Sequence, residues 1–251
     1  MIITFGAVLF GATWFERADP FEAYSTLVGQ LSPIGRRADG SLVWQSPLNH
    51  LDGLAPSPTR LGVVAVLLGS TAYDGFSRSN RWVKFSQSVA IDQTLLGTVT
   101  LLAFCGFVGL TFAVAAMLTA VPPQVRRLQL PALFAHSIVP IIVGYVVAHY
   151  LTLLLEYGQQ VVMQLSDPMA NGSNLFGTAD WRVTYLLSTH PSMLAVIKVV
   201  AVLTGHVAGV VAAHDRAVQL LPTGHQITGQ LALLLVMVIY TVGGLHLLFS
   251  G

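Results

Sequence analysis

Charge is what this chain has least of. Only 9% of its 251 residues are Asp, Glu, Lys or Arg, where a soluble domain carries about 25%. A chain so poor in charge cannot clothe a water-facing surface, so lipid must cover it, in keeping with a mean hydropathy of +0.70. The few charges are balanced, 12 Lys and Arg against 11 Asp and Glu, which points to no nucleic-acid or acidic partner. Cysteine is nearly absent. Cys105 stands alone within an apolar run, which excludes an internal disulfide and a thiolate zinc framework and reads as packing. Familiar catalytic signatures are missing too: there is no H-E-x-x-H, no His pair at i, i+4, no G-x-S-x-G elbow, no Walker loop and no G-x-G-x-x-G opening a helix. No lipid-facing alternation argues for a barrel.

What is there is long apolar helix. A hydrocarbon core of ~30 Å needs about 20 such residues, and five segments approach or meet that: roughly 61–76, 94–120, 131–156, 191–213 and 226–249. A sixth stretch, 1–15, would reach only ~22 Å as helix, and it has neither the basic start nor the cleavage site of a signal peptide. The expected architecture is an all-α transmembrane bundle forming a single membrane domain, with five main spans and a short N-terminal apolar helix. Lys and Arg set the orientation. With 16–60, 121–130 and 214–225 on the cytoplasmic side, seven Arg lie inside against Arg78, Arg81, Lys84 and Arg182 outside.

The loops carry local signals. In ADPFEAYSTLVGQLSP, Asp19 can cap a helix, Pro20 suits its first position and Glu22 completes a D-x-x-E box. Phe21, Tyr24, Leu27, Val28 and Leu31 form one apolar stripe, the pattern of an amphipathic helix lying at the membrane interface, or equally of a short helix packed beneath the bundle. Asp39-Gly40 marks a turn. The loop at about 157–190 is rich in turn formers and is expected to cover the outer ends of the helices.

Residues 134–156, FAHSIVPIIVGYVVAHYLTLLLE, are apolar enough to cross a bilayer yet hold two His, two Tyr and a Glu. His136 and His149 lie ~20 Å apart along a helix and roughly 140° apart around it, so they cannot share a metal from one helix. Tyr145, His149, Thr152 and Glu156 follow i, i+4, i+7, i+11 and make one polar stripe, a wall of a cavity. A second wall is offered by HPSMLAVIKVVAVLTGHVAGVVAAHDR, where Gly205 and Gly209 permit close helix approach and Lys198 lies on nearly the same face. An ammonium at that depth needs a partner or a path to the interface; Glu156 and Asp74 are the expected partners. Asp74, His149, Glu156 and Lys198 thus form an outer set, with Asp92, His190 and His246 as outlying candidates. His136 and His206, at similar depth on neighbouring helices, form an inner pair that could hold a cofactor. His214-Asp215-Arg216 is expected to be solvated at the cytoplasmic end. Each set has a plainer reading as ion pairs and hydrogen bonds that fix packing.

Several stretches taken together, DPFEAYSTLVGQLSPIGRRADGSL, GSTAYDGFS, FAHSIVPIIVGYVVAHY, LSDPMANGSNLFGTAD, GHVAGVVAAHDRA and YTVGGLHLLF, resemble actinobacterial multi-pass membrane proteins labelled fenitrothion hydrolase. The resemblance runs over nearly the whole chain and corresponds to the C-terminal portion of longer members. It implies hydrolysis of an organophosphate triester at a bacterial plasma membrane. Such chemistry needs an activated water and a cationic or metal clamp on the phosphoryl oxygen, which leaves a divalent metal open as a cofactor. The H-x-H tandem of soluble metal-dependent phosphotriesterases is absent.

Two functions follow as expectations. In a membrane-embedded hydrolase of apolar esters, His149 or Glu156 would be the general base and Lys198 would stabilise developing negative charge. In a transporter component, or a non-enzymatic subunit of a membrane complex, the same residues would relay protons or ligand. No inverted repeat favours a transporter, while the short first helix and small-residue faces suit a membrane-protein partner or a homo-oligomer.

Overall fold

A computed structural model describes residues 2–37, 39–52, 57–120, 125–221 and 223–249. The start of the expected N-terminal stretch and of the 121–130 loop fall outside these residues. Among the described residues the chain is all-α apart from one hairpin, β1 (Ile34–Arg36) with β2 (Leu42–Trp44), antiparallel with Gly35 opposite Val43. The expected turn closes it: Gly40 has φ +84° and Asp39 accepts from the Ser41 N–H and hydroxyl. Leu42 and Trp44 are both exposed, so no buried face announced this hairpin in the sequence.

Helices α1 (Ile2–Phe10), α2 (Ala12–Ala18) and α3 (Pro20–Gly29) come first. Asp19 caps α3 by accepting from the Phe21 N–H at 2.9 Å. Glu22 does not complete the box; it accepts from the Thr26 hydroxyl instead. The α3 stripe turns toward protein, because Leu27 is 5% exposed in the main core and Leu31 packs on that core, leaving Phe21 outside. These contacts support the packed reading of α3.

After α4 (Asn49–Asp52) come the bundle helices: α5 (Pro58–Ser77), α7 (Gln93–Met117), α9 (Val139–Ser166), α11 (Pro191–Leu220) and α12 (Leu231–Leu248). Between them lie the short α6 (Asn80–Ser88), α8 (Leu130–Phe134) and α10 (Leu186–Thr189). Among the described residues four helical stretches are long and apolar enough to cross a membrane, Gln93–Met117, Arg127–Ser166, Pro191–Leu220 and Thr228–Leu248. Helix α5 is not among them. Its 20 residues reach about 30 Å, but Arg60, Ser70, Thr71, Asp74 and three glycines dilute its apolar run.

Two antiparallel pairs make the bundle, each seated on glycine. In lipid, helices gain nothing from hiding apolar surface, and close packing of small residues holds them instead. A Cβ at Gly69 of α5 would stand 2.6 Å from the Cys105 Cα of α7, so Cys105 is a packing residue. Between α9 and α11, a Cβ at Gly144 would lie 2.5 Å from the Ala201 carbonyl oxygen. One at Gly205 would lie 2.5 Å from the Pro140 oxygen, and one at Gly209 2.6 Å from the Ser137 oxygen. The expected small-residue contact is real, and its partner is α9. Helix α12 joins the pairs: Tyr240 donates to the Val108 carbonyl at 2.8 Å and meets the Thr111 hydroxyl at 2.7 Å.

At one end of the bundle the Ala120 N–H donates to the Gly229 oxygen, and Arg127 caps the Met117 carbonyl. At the other end α6 is held by rings, with Trp82 against Tyr73, Phe76 and Phe85. The 167–190 loop is laced along the last turns of α9. Gln159 accepts from the Thr184 N–H and donates to its carbonyl, and Thr178 donates to the Val162 carbonyl.

Candidate functional site

The contacts of Gly144 with Ala201 and Gly205 set the antiparallel register of α9 and α11. Counting outward from them brings Lys198 level with His149. Glu156 is seven residues, about 10 Å, further along. This register decides which members of the outer set meet.

Asp74 and His149 meet. Asp74 lies in the last turn of α5, where the negative end of the helix dipole disfavours a carboxylate by about 0.3–1 kcal/mol. Three donors offset that. His149 Nε2 lies 2.7 Å from Asp74 Oδ2, the Tyr150 hydroxyl donates to the same oxygen at 2.9 Å, and Arg78 reaches the carboxylate at 3.4 Å. A carboxylate only accepts, so the histidine nitrogen facing it, Nε2, carries a proton. The His149 side chain is 6% exposed, Asp74 30% and Arg78 62%, a gradient from bundle interior to rim. Tyr145 stacks on the His149 ring at 6.2 Å and 10°, and its hydroxyl donates to the Gly244 carbonyl. The imidazole is thereby held on two sides.

A cavity of about 200 Å³ opens beside this dyad, lined by Gly75, Arg78, His149, Thr152, Lys198, Leu247 and Leu248. Lys198 makes no hydrogen bond or ion pair among the described residues. Glu156 does not meet it. Its carboxylate takes a hydrogen bond from the Ser188 hydroxyl and borders a second cavity of about 230 Å³ with Gln159, Thr184 and Leu187. Thr152 lines both cavities, so the polar stripe on α9 is real but serves two compartments.

The inner pair does not converge. The ring nitrogens of His136 face the Leu133 and Ala212 carbonyls at 3.0 and 3.3 Å. His206 Nδ1 meets the Thr241 hydroxyl at 2.7 Å. The α9–α11 register sets His206 about 7 Å along the axis from the level of His136, and each histidine is engaged by its own packing partners. The outlying candidates behave alike: Asp92 caps α7 through the Leu95 N–H, and His190 meets the Leu186 carbonyl. His246 borders a separate hollow with Val199, Leu245 and Phe249. His214 is half-buried with Nδ1 2.8 Å from Gln230 Nε2, not simply solvated.

Among the described residues no three His, Cys, Asp or Glu side chains come together in a group that could hold a metal. Asp74 and His149 supply two such donors, and the cavity beside them adds two cations, Arg78 and Lys198, and the Thr152 hydroxyl, a poor fit for a divalent ion. The clamp available here is Lys198 with Arg78.

Comparison of the chain with family models, curated proteins and solved structures finds no match. The arrangement must speak for itself. Sequence reasoning missed Arg78 and Tyr150 as members of the cluster. Arg78 stands four residues after Asp74, the spacing of a helical ion pair. Tyr150 follows His149 directly, and only the position of α5 shows that both reach one carboxylate.

Proposed function

We propose that the chain is a multi-pass protein of a bacterial plasma membrane, with α5 as a fifth span, that hydrolyses apolar organophosphate-type esters in the bilayer. The observation that carries this reading is the 2.7 Å contact of His149 with Asp74 on the wall of a cavity that also holds Lys198. A carboxylate that fixes the tautomer and orientation of a histidine is the arrangement of a general base. The resemblance to proteins labelled fenitrothion hydrolase supports ester hydrolysis, and because no three His, Cys, Asp or Glu side chains gather among the described residues, Lys198 and Arg78 serve as the clamp.

In this mechanism Asp74 holds His149 with Nε2–H toward the carboxylate. His149 Nδ1 takes a proton from water as its oxygen bonds to phosphorus. The bond from phosphorus to the leaving oxygen breaks, and the imidazolium returns its proton to that oxygen. Lys198 and Arg78 face the negative charge that develops on the phosphoryl oxygen, which a site of low polarity makes more effective. Burial of the His149 ring limits access of bulk water to it.

The test is release of nitrophenol from an apolar phosphotriester by the purified chain in lipid nanodiscs. His149→Gln and Asp74→Asn are expected to lower kcat by roughly 10²–10⁴-fold, and Lys198→Ala by roughly 10²–10³-fold. Wild-type rates in all three variants would remove the assigned roles. Absence of turnover together with a stoichiometric co-purifying membrane protein would favour the subunit reading.

A further inference from the structure

A third cavity, of about 160 Å³, lies beneath the one lined by Lys198 and His149. Its wall is apolar, with Leu68, Phe104, Ile141, Tyr145, Val202 and Ile239 among the lining side chains. Phe107 on α7 and Ile239 and Gly243 on α12 also line it and are exposed. The cavity therefore opens sideways between α7 and α12, above the Tyr240 bonds that tie those helices together. An enclosed apolar space of similar size stays dry and accepts a benzene-sized guest.

The two cavities share Leu247 as a common wall. Gly75 keeps that wall one side chain thick, since a Cβ there would stand 3.4 Å from both the Leu247 Cβ and the Tyr145 hydroxyl. The charges are arranged to match. Two cations, Arg78 and Lys198, line the upper cavity, and the Asp74 carboxylate beside them bonds Arg78 but not Lys198. Arg78 is at the rim of the bundle, whereas Leu68 lies ten residues deeper on α5, about 15 Å. A cationic site at the rim with an apolar slot below it, open to the side, has the polarity and direction of one bilayer leaflet.

We infer that the two cavities together bind a single-chain anionic amphiphile, its head on Lys198 and Arg78 and its first methylenes in the slot between α7 and α12. The remainder of the chain leaves through the lateral opening into lipid. Leu247 swings aside when the molecule enters. The inference deepens the function proposed above by naming the molecular class taken by that site. It rests on that reading only for the bilayer setting and for Lys198 and Arg78 as an anion clamp.

Photolabelling tests it without requiring turnover. The full chain in phosphatidylcholine nanodiscs is labelled with dodecyl phosphate bearing a mid-chain diazirine, and the adducts are mapped by mass spectrometry. Adducts are expected on Phe104, Phe107, Ile239 or Leu247, suppressed by excess dodecyl phosphate. Lys198→Ala with Arg78→Ala is expected to reduce them about tenfold or more, the loss of charge-assisted hydrogen bonds. Gly243→Leu is expected to abolish them. Nothing lies within 4 Å of a Cβ at Gly243, so this variant fills the slot without a clash and improves helix propensity. Leu247→Ala joins the cavities and is expected to increase labelling.

Adducts spread evenly over the exposed α7 residues Leu95, Val99, Leu102 and Leu110, and indifferent to the variants, would overturn the inference. Competition by dodecanol equal to that by dodecyl phosphate would overturn the role of the head, and competition by inorganic phosphate would point to a free anion in place of a lipid. Specific labelling without ester turnover defeats only the hydrolase reading; turnover without specific labelling defeats only this one.

Discussion

Replacing Gly205 by alanine tests the packing on which the site depends. A Cβ at Gly205 would stand 2.5 Å from the Pro140 carbonyl oxygen and 3.1 Å from the Gly144 Cα. Both neighbours are backbone, so no rotamer change relieves the clash. Reaching an ordinary contact of ~3.5 Å requires α9 and α11 to part by about 1 Å. Forced overpacking of this kind costs about 1–3 kcal/mol, and the better helix propensity of alanine returns up to about 1 kcal/mol. The net expectation is a loss of roughly 1–2 kcal/mol. Lys198 and His149 sit on the two helices that separate, level with each other, so the same shift opens the cationic cavity. A displacement near 1 Å at a reacting centre can cost about 10²-fold in rate. Reversible unfolding in mixed detergent micelles measures the first effect and phosphotriester turnover the second. Gly106→Ala on α7 is the control, because nothing lies within 4 Å of a Cβ there. Equal stability of Gly205→Ala and Gly106→Ala would refute the close-packed α9–α11 contact and the register derived from it.

Two further outcomes are expected. Tyr150→Phe removes one of the three donors on Asp74 and should lower stability by about 0.5–1.5 kcal/mol while His149 and Arg78 stay in place, read by the same unfolding assay with retention of the 2.7 Å His149–Asp74 contact in a structure of the variant. Asp167, in the loop after α9, accepts from the N–H groups of Asn171 and Gly172 and from the Ser173 hydroxyl, and the Asn171 bond leads in holding its carboxyl below the ordinary value of 3.8. A depressed folded pKa means that its contribution is fully present above the ordinary value and is lost as pH falls through the folded one. Protection of the Asn171 and Gly172 amides, taken relative to their intrinsic exchange rate at each pH, should therefore hold above the ordinary carboxylate value and fall as the pH drops below it, and Asp167→Ala should remove that fall.

The reading of the outer set shows where one-dimensional reasoning stops. Periodicity placed Tyr145, His149, Thr152 and Glu156 on a single face of α9, and the structure keeps them there. It could not say how far along α11 that face extends. Lys198 and Glu156 looked like partners because both lay toward the outer ends of their helices. The glycine contacts slide Lys198 level with His149 and leave Glu156 to Ser188. The inner histidines fail for the same reason, since depth inferred from helix ends is uncertain by a turn or more and a hydrogen bond tolerates only a fraction of that. The α3 stripe is another case. Amphipathicity reveals that a helix has an apolar face, and both lipid and a protein core satisfy it, so only the tertiary structure shows that Leu27 enters the core.

Composition and helical periodicity by themselves determined that this chain is a helical bundle able to cross a membrane, that Gly205 and Gly209 mark a close helix contact, and that one face of α9 is polar. These are local properties, set by the 3.6-residue repeat and by the scarcity of charge. The tertiary structure alone decided that Asp74, His149, Tyr150 and Arg78 form one cluster, that Lys198 joins their cavity without Glu156, and that an apolar slot runs beneath it. Those outcomes depend on register between helices, which is settled by where glycine lets two backbones touch.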